Sequence, residues 1–201
     1  MKPITTLDDL HALYGTPGGA ALRKVSPHLT ARYSRWIERS RFCVLTTVGP
    51  EGTDGSPRGD DGPVVKVLDH RTLALPDWQG NERIDSLRNI LRDGRVSLLF
   101  LIAGSPNAMR VNGTAIVTAD PDLRAGFDRA GKQPRTVIVI TVAEAYPQCA
   151  RALIRSTLWS SGDQSAGLPS VGEMMEEITN GDMDGAAYDA NWPARAAATM
   201  W

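Results

Sequence analysis

Two cysteines and three histidines in 201 residues leave little from which to build a soft-metal centre. Cys43 and Cys149 each lie beside apolar sequence and read as reduced, buried thiols rather than a redox pair. His11, His28 and His70 stand far apart without metal-ligand spacing, so zinc or iron chemistry is not expected. An excess of either charge is also missing. Lys and Arg number 22 against 23 Asp and Glu, a formal net charge of -1, and no basic field is present to attract nucleic acid. No apolar run reaches membrane-spanning length. The opening MKPITTLDDLHALYG carries two acids and no apolar stretch, which is not a secretory pattern, and a cytoplasmic location is expected. Gly-x-Gly-x-x-Gly after a strand, a Walker-type Gly-Lys-Ser/Thr and a Gly-x-Ser-x-Gly elbow are all lacking, which excludes the usual dinucleotide, P-loop and serine-hydrolase sites. Asp60 and Asp61 are adjacent and point apart on an extended chain, which suits loop hydrogen bonding better than paired-carboxylate hydrolysis.

What is present centres on residues 64–100. Val64–Leu68 and Val96–Phe100 read as core strands, with a third strand over Arg71–Leu75 that ends at Pro76-Asp77. Gly80-Asn81-Glu82-Arg83 then leads into a helix whose apolar positions, Ile84, Leu87, Ile90 and Leu91, share a face. A helix start carrying Asn81 and Arg83 beside a strand end is a good place for an anion, because free backbone N–H groups and a guanidinium converge there.

Before this core, residues 1–41 read as a helical segment packed on it. Thr6 caps a helix through Asp9, and a later helix over residues 31–37 presents Tyr33, Trp36 and Ile37 as its packing edge. The first strand is Phe42–Val48. Gly49–Gly55 and Ser56–Pro63 read as loop, the second part either a surface turn or a ligand-contacting loop with Arg58 and Asp60. Downstream, residues 109–117 form a strand with Arg110 and Asn112 on the side opposite Met109 and Val111. A short helix over Leu123–Ala130 follows. Thr136–Val142 is the strongest strand, without alternation and so expected to be buried on both faces. Residues 143–147 then turn into a helix over Gln148–Ser156 in which Arg151 and Arg155 share a face. Residues 160–201 read as a linker, a short helix at Val171–Ile178 and an extended tail. The whole is mainly β, with six or seven antiparallel strands and peripheral helices. A small closed or split barrel over residues 42–159 fits this order better than a βαβ sheet.

Arg58, Asn81 with Arg83, Arg110, and Arg151 with Arg155 are spread over four elements. Such a set fits a phosphorylated cofactor that brings its own redox chemistry. The run Gly80–Ile90 followed by Arg95-Val-Ser-Leu-Leu-Phe100 resembles the flavin-binding core of the pyridoxamine 5'-phosphate oxidase-like family. Ser56-Pro-Arg-Gly-Asp60, Arg110-Val-Asn-Gly113 and Cys149–Ser156 with Leu158-Trp159 resemble a bacterial branch of FMN-dependent enzymes. The resemblance implies a split β-barrel homodimer with FMN at the subunit interface. It further implies Arg58, Gly59 and Lys66 along the flavin, Pro76 and Asp77 beneath it, and Asn81, Arg83, Ser86 and Arg88 at its phosphate. Arg110 would come from the later strand, and Arg155 and Trp159 from the other subunit. The Arg-x-His substrate element of the vitamin B6 oxidases has no counterpart here. The implied activity is therefore an FMN-dependent oxidoreductase acting on an unidentified small molecule by hydride transfer to flavin N5. The alternatives are a non-catalytic flavin-binding protein for storage or sensing, or a related barrel that uses F420 or haem.

Overall fold

A computed structural model of the chain describes residues 1–200. Three helices come first: α1 (Leu7–Leu13), α2 (Gly19–Arg23) and α3 (Ala31–Ile37). Thr6 accepts a hydrogen bond from the Asp9 amide at the start of α1, as its spacing predicts. Helix α1 buries none of its residues, whereas α3 buries Ile37 and packs Tyr33 and Trp36 against the core. Strands β1 (Phe42–Gly49), β2 (Gly52–Gly59), β3 (Lys66–Asp69) and β4 (Thr72–Asp77) follow, then α4 (Asp85–Arg92), β5 (Arg95–Leu101), β6 (Ala108–Thr118), α5 (Pro121–Ala125) and β7 (Thr136–Gln148). Three helices close the described chain, α6 (Arg151–Arg155), α7 (Val171–Ile178) and α8 (Gly185–Thr199).

The seven strands form one antiparallel sheet in the order β2-β1-β5-β6-β7-β4-β3, curled into a split barrel. Alternation selects its interior: Cys43 and Leu45 from β1, Val96, Leu98 and Phe100 from β5, and Met109 and Val111 from β6 all point inward. On β7 the inward set starts at even positions (Ile138, Ile140, Val142) and continues at the odd Ala145. The change of parity comes from a bulge. Asn112 pairs with Glu144 but Gly113 with Val142, so Ala143 is the extra residue. Gly113 is required there, since a Cβ would collide with the carbonyl oxygen of Thr141. Burial of β7 on both faces, expected along Thr136–Val142, holds only at its start: Val137 joins Ala74 and Phe127 in a second cluster on the outer face, with Trp78, Leu123 and Val139 packed against it, whereas Thr141 is exposed.

Several elements differ from their sequence-based expectation. The segment Gly52–Gly59 is a strand, not a loop. Its glycines and Pro57 carry little strand propensity, yet all eight residues pair with β1, and Pro57 is tolerated because β2 is a sheet edge. β7 runs through residues 143–147 where a turn was expected, because β6 pairs with it along the whole length. The helix expected over 148–156 shrinks to α6, and that expected over 123–130 becomes α5, capped by Asp120. Ile84 and Leu91 are exposed, so the inward face of α4 is Ser86, Leu87 and Ile90. The tail expected to be extended contains α8. Asp184 caps it, and Asp189 accepts bonds from the Ser170 hydroxyl and the Gly172 amide to fasten it to α7. Cys149 is exposed, against the expectation of a buried thiol, while Cys43 is buried.

Candidate functional site

Strand β2 lies at one end of the sheet order, with β4 and β3 at the other. Where the barrel curls round, β2 and the exit of β4 face each other without ladder hydrogen bonds. Side chains span the gap instead. Arg58 Nη1 donates to Asp77 Oδ1 at 2.5 Å, with the two side chains only 19% and 17% exposed. One step further out, Trp78 Nε1 donates to Asp60 Oδ2 at 3.0 Å. A cleft of about 870 Å³ opens at this seam, large enough for a drug-sized or nucleotide-sized molecule. β2 supplies one wall, the β4 exit with the 78–84 loop the second, and the start of α4 with Arg135 and Thr136 a third, with Val64 and Met200 also on the lining.

Most cleft charges are matched. Arg129 pairs with both Asp60 and Asp61, Arg135 Nη2 with Glu82 Oε1 at 2.9 Å, and Arg83 Nε with Asp85 Oδ2 at 2.8 Å. Ser86, itself buried, donates to Asp54 Oδ2 at 2.7 Å and so ties α4 to β2. Against this matching, two buried polar atoms on cleft residues have no partner among the described residues: Arg58 Nε and Thr136 Oγ1. A buried donor left unmet costs about 1–3 kcal/mol, so a ligand with acceptor atoms is favoured here.

The 80–85 turn adds an anion-friendly corner. Asn81 Oδ1 accepts the Arg83 amide at 3.2 Å, and no side chain among the described residues caps the N-terminus of α4. The N-cap position is Ile84, held at φ 53°, and Glu82 sits at φ 60°. A β-branched residue in the left-handed region is strained, and such strain concentrates where backbone is arranged for binding. The Arg83–Asp85 pair is exposed and engages Arg83 through Nε.

Of the residues singled out by sequence, the cleft brings together Arg58, Gly59, Asp60, Pro76, Asp77, Asn81, Arg83 and Ser86. Six others, Lys66, Arg88, Arg110, Arg155, Trp159 and the exposed Arg151, stand elsewhere. Lys66 donates to the Gly126 carbonyl and lies 4.6 Å from the Phe127 ring centroid, because strand parity turns it toward α5. Arg88 lines a smaller depression of about 300 Å³ with Glu51 and Arg92, between α4 and the turn joining β1 to β2. Arg110 reaches Tyr146, its cross-strand neighbour, at 3.4 Å and leaves its buried Nε without a partner among the described residues. Arg155 is exposed on α6, and Trp159 Nε1 donates to the Ser105 carbonyl at 2.7 Å. Trp78 and Thr136 were not singled out, although Trp78 directly follows the Pro76-Asp77 strand end that was.

The family description "Pyridoxamine 5'-phosphate oxidase" matches residues 29–149, from just before α3 to just past β7, and so includes the lining of the cleft apart from Met200. Among curated proteins there is no match. Among solved structures, a variant of HupZ from Group A Streptococcus is similar at a TM-score of 0.50 and 16% identity, covering 60% of this chain and 99% of that one. An FMN-binding protein from Syntrophomonas wolfei has a TM-score of 0.45 at 13% identity, covering 59% and 84%. The FAD binding protein from Mycobacterium smegmatis has a TM-score of 0.42 at 12% identity, covering 61% and 97%. At these identities the likeness is one of fold.

Proposed function

Because the chain belongs to the pyridoxamine 5'-phosphate oxidase family, we propose that it is a flavoprotein that holds FMN in the seam cleft and serves as an oxidoreductase on a small molecule. The observation that carries this reading is the pair of buried, unpartnered atoms, Arg58 Nε and Thr136 Oγ1, on residues lining a cleft of nucleotide size. A flavin offers ring carbonyl and nitrogen acceptors to such donors. The residues present therefore fit the group.

In this reading Arg58 holds the acceptor edge of the ring system, and Asp77 holds Arg58 in place. The uncapped start of α4, with Asn81, Arg83 and Ser86, receives the phosphate through backbone N–H groups and charge-assisted bonds. Gly59 and Pro76 line the cleft without polar side chains that would compete for the ring. Bound FMN would supply the redox chemistry by accepting a hydride at N5. The chain's own part is to bind, orient and exclude water, for which no protein acid or base is required.

The same reading extends to a homodimer, with Arg155 and Trp159 acting on the partner's cofactor. Its support is their position outside the cleft and the exposure of Ile154, Leu158 and Trp159 on and after α6. Among the described residues no helix is long and apolar enough to cross a membrane.

The test is the absorption spectrum of the purified protein, followed by FMN titration of the stripped protein and mixing with NADH or NADPH. Two flavin bands, saturable FMN uptake and bleaching by a donor are expected. Uptake without reduction by any donor points to a flavin carrier or sensor. A Soret band or an F420 spectrum replaces the cofactor assignment, and a colourless protein that takes up no FMN ends it.

A further inference from the structure

Among the described residues, Trp78 is the one aromatic that lines the cleft, and it offers a surface for a planar ring to lie against. Contacts with several described residues hold it. Its Nε1 is held by Asp60 Oδ2 at 3.0 Å, the Arg129 guanidinium lies 5.8 Å from its ring centroid, and its body packs against the Ala74, Phe127 and Val137 cluster. Asp60 is the hub of this arrangement. Its side chain is only 3% exposed, and its other oxygen accepts from Arg129 and from the Gly62 amide. A carboxylate buried to that degree is retained only with charge and hydrogen-bond partners, and here one of its partners is the indole.

Asp60 also follows directly on the Arg58-Gly59 end of β2. The bond from Trp78 to Asp60 therefore repeats, two residues on, the connection that Arg58 makes to Asp77. Each ties β2 to the β4 exit across the seam. The first sets a polar edge of the cleft and the second sets an aromatic wall.

We infer that Asp60 is a positioning residue that, with Arg129, locks the Trp78 indole as the wall against which the flavin ring lies. This rests on the flavin reading above. Asp60 does not touch the ring in this scheme, and its effect on binding passes through Trp78. Arg129 neutralises the carboxylate.

The test combines binding with a measurement made without flavin. FMN affinity is measured for the wild type, Asp60→Ala, Trp78→Ala and the double variant. Each single change is expected to weaken FMN about tenfold, and the double variant to be no weaker than Trp78→Ala. In flavin-free protein, the near-ultraviolet circular dichroism lost on Trp78→Phe isolates the Trp78 signal from the other tryptophans. That signal should vanish in Asp60→Ala and persist in Asp60→Asn, whose amide oxygen still accepts from the indole. Asp60→Asn also serves if Asp60→Ala fails to fold. Losses that add in the double variant overturn the inference, as does wild-type FMN affinity in Trp78→Ala or an unchanged Trp78 signal in Asp60→Ala. A wild type that takes up no FMN overturns the flavin reading and this inference together, and so is distinct from failure of the inference alone.

Discussion

Arg58 on β2 and Asp77 on β4 meet at 2.5 Å although β1, β5, β6 and β7 lie between their strands in the sheet. The pair clasps the open side of the barrel. Removing Asp77 leaves a guanidinium that is mostly buried and already has one unmet nitrogen. Asp77→Ala should therefore lower stability by about 1–3 kcal/mol and weaken FMN as well. Urea denaturation reads the first effect and flavin titration the second. Adding Arg58→Ala to Asp77→Ala should restore part of the stability, because no unpaired charge is left behind. A double variant as unstable as the sum of its parts would contradict the clasp.

Arg83 gives the opposite signature. Its side chain is 75% exposed and its ion pair is with the neighbouring Asp85. Arg83→Ala should leave the melting temperature almost unchanged, since exposed pairs of this kind contribute about 0–1 kcal/mol. Flavin affinity should fall about tenfold or more through loss of a charge-assisted contact to phosphate. Equal FMN retention in wild type and variant would remove Arg83 from the site.

Gly113→Ala tests the bulge. A Cβ there collides with backbone, the Thr141 carbonyl, and β6 and β7 cannot separate without breaking their ladder. A loss of about 3 kcal/mol, or failure to accumulate folded protein, is expected. Gly55→Ala is the control, because a Cβ at Gly55 meets nothing within 4 Å. A normal denaturation midpoint for Gly113→Ala would refute the bulge geometry.

The two thiols should behave differently. Burial pushes the Cys43 thiol up to about 12, with the Arg58 charge pulling weakly the other way. A thiol whose folded value is raised contributes stability that is complete below the unfolded value. As pH rises from about 9 toward about 12, the unfolded chain loses a proton that the folded chain keeps, and stability falls. Denaturation midpoints measured about one pH unit either side of the ordinary thiol value should therefore differ more for wild type than for Cys43→Ala. Near neutral pH a thiol reagent should modify Cys149 in the folded protein, and Cys43 only after denaturation.

Apolar periodicity made α3, β1 and β5 legible, because their inward residues recur at helix or strand spacing. β2 was hidden, because GTDGSPRG becomes a strand only through its neighbour. The second half of β7 was hidden by Ala143, which breaks alternation just where Glu144, Tyr146 and Pro147 look like a turn. α8 is rich in alanine but carries Pro193 at mid-helix; its Asp184 cap is local, whereas its fastening to α7 through Asp189 and the close Gly172–Gly185 approach is encoded by no local pattern. The cleft was half legible. Gly, Asn and Arg packed into two short stretches marked Arg58 and the 80–86 turn. Strand parity then sent Lys66 and Arg110 to other surroundings, and Trp78 became visible only once β2 and β4 were seen to face each other.

Because the seam is spanned by side chains and not by a ladder, a guest can come and go without unzipping any strand. The doorway has two latches, each made of a pair of residues, and amide protons elsewhere in the sheet need not exchange for it to swing. Parting these two pairs leaves every strand pairing of the sheet in place.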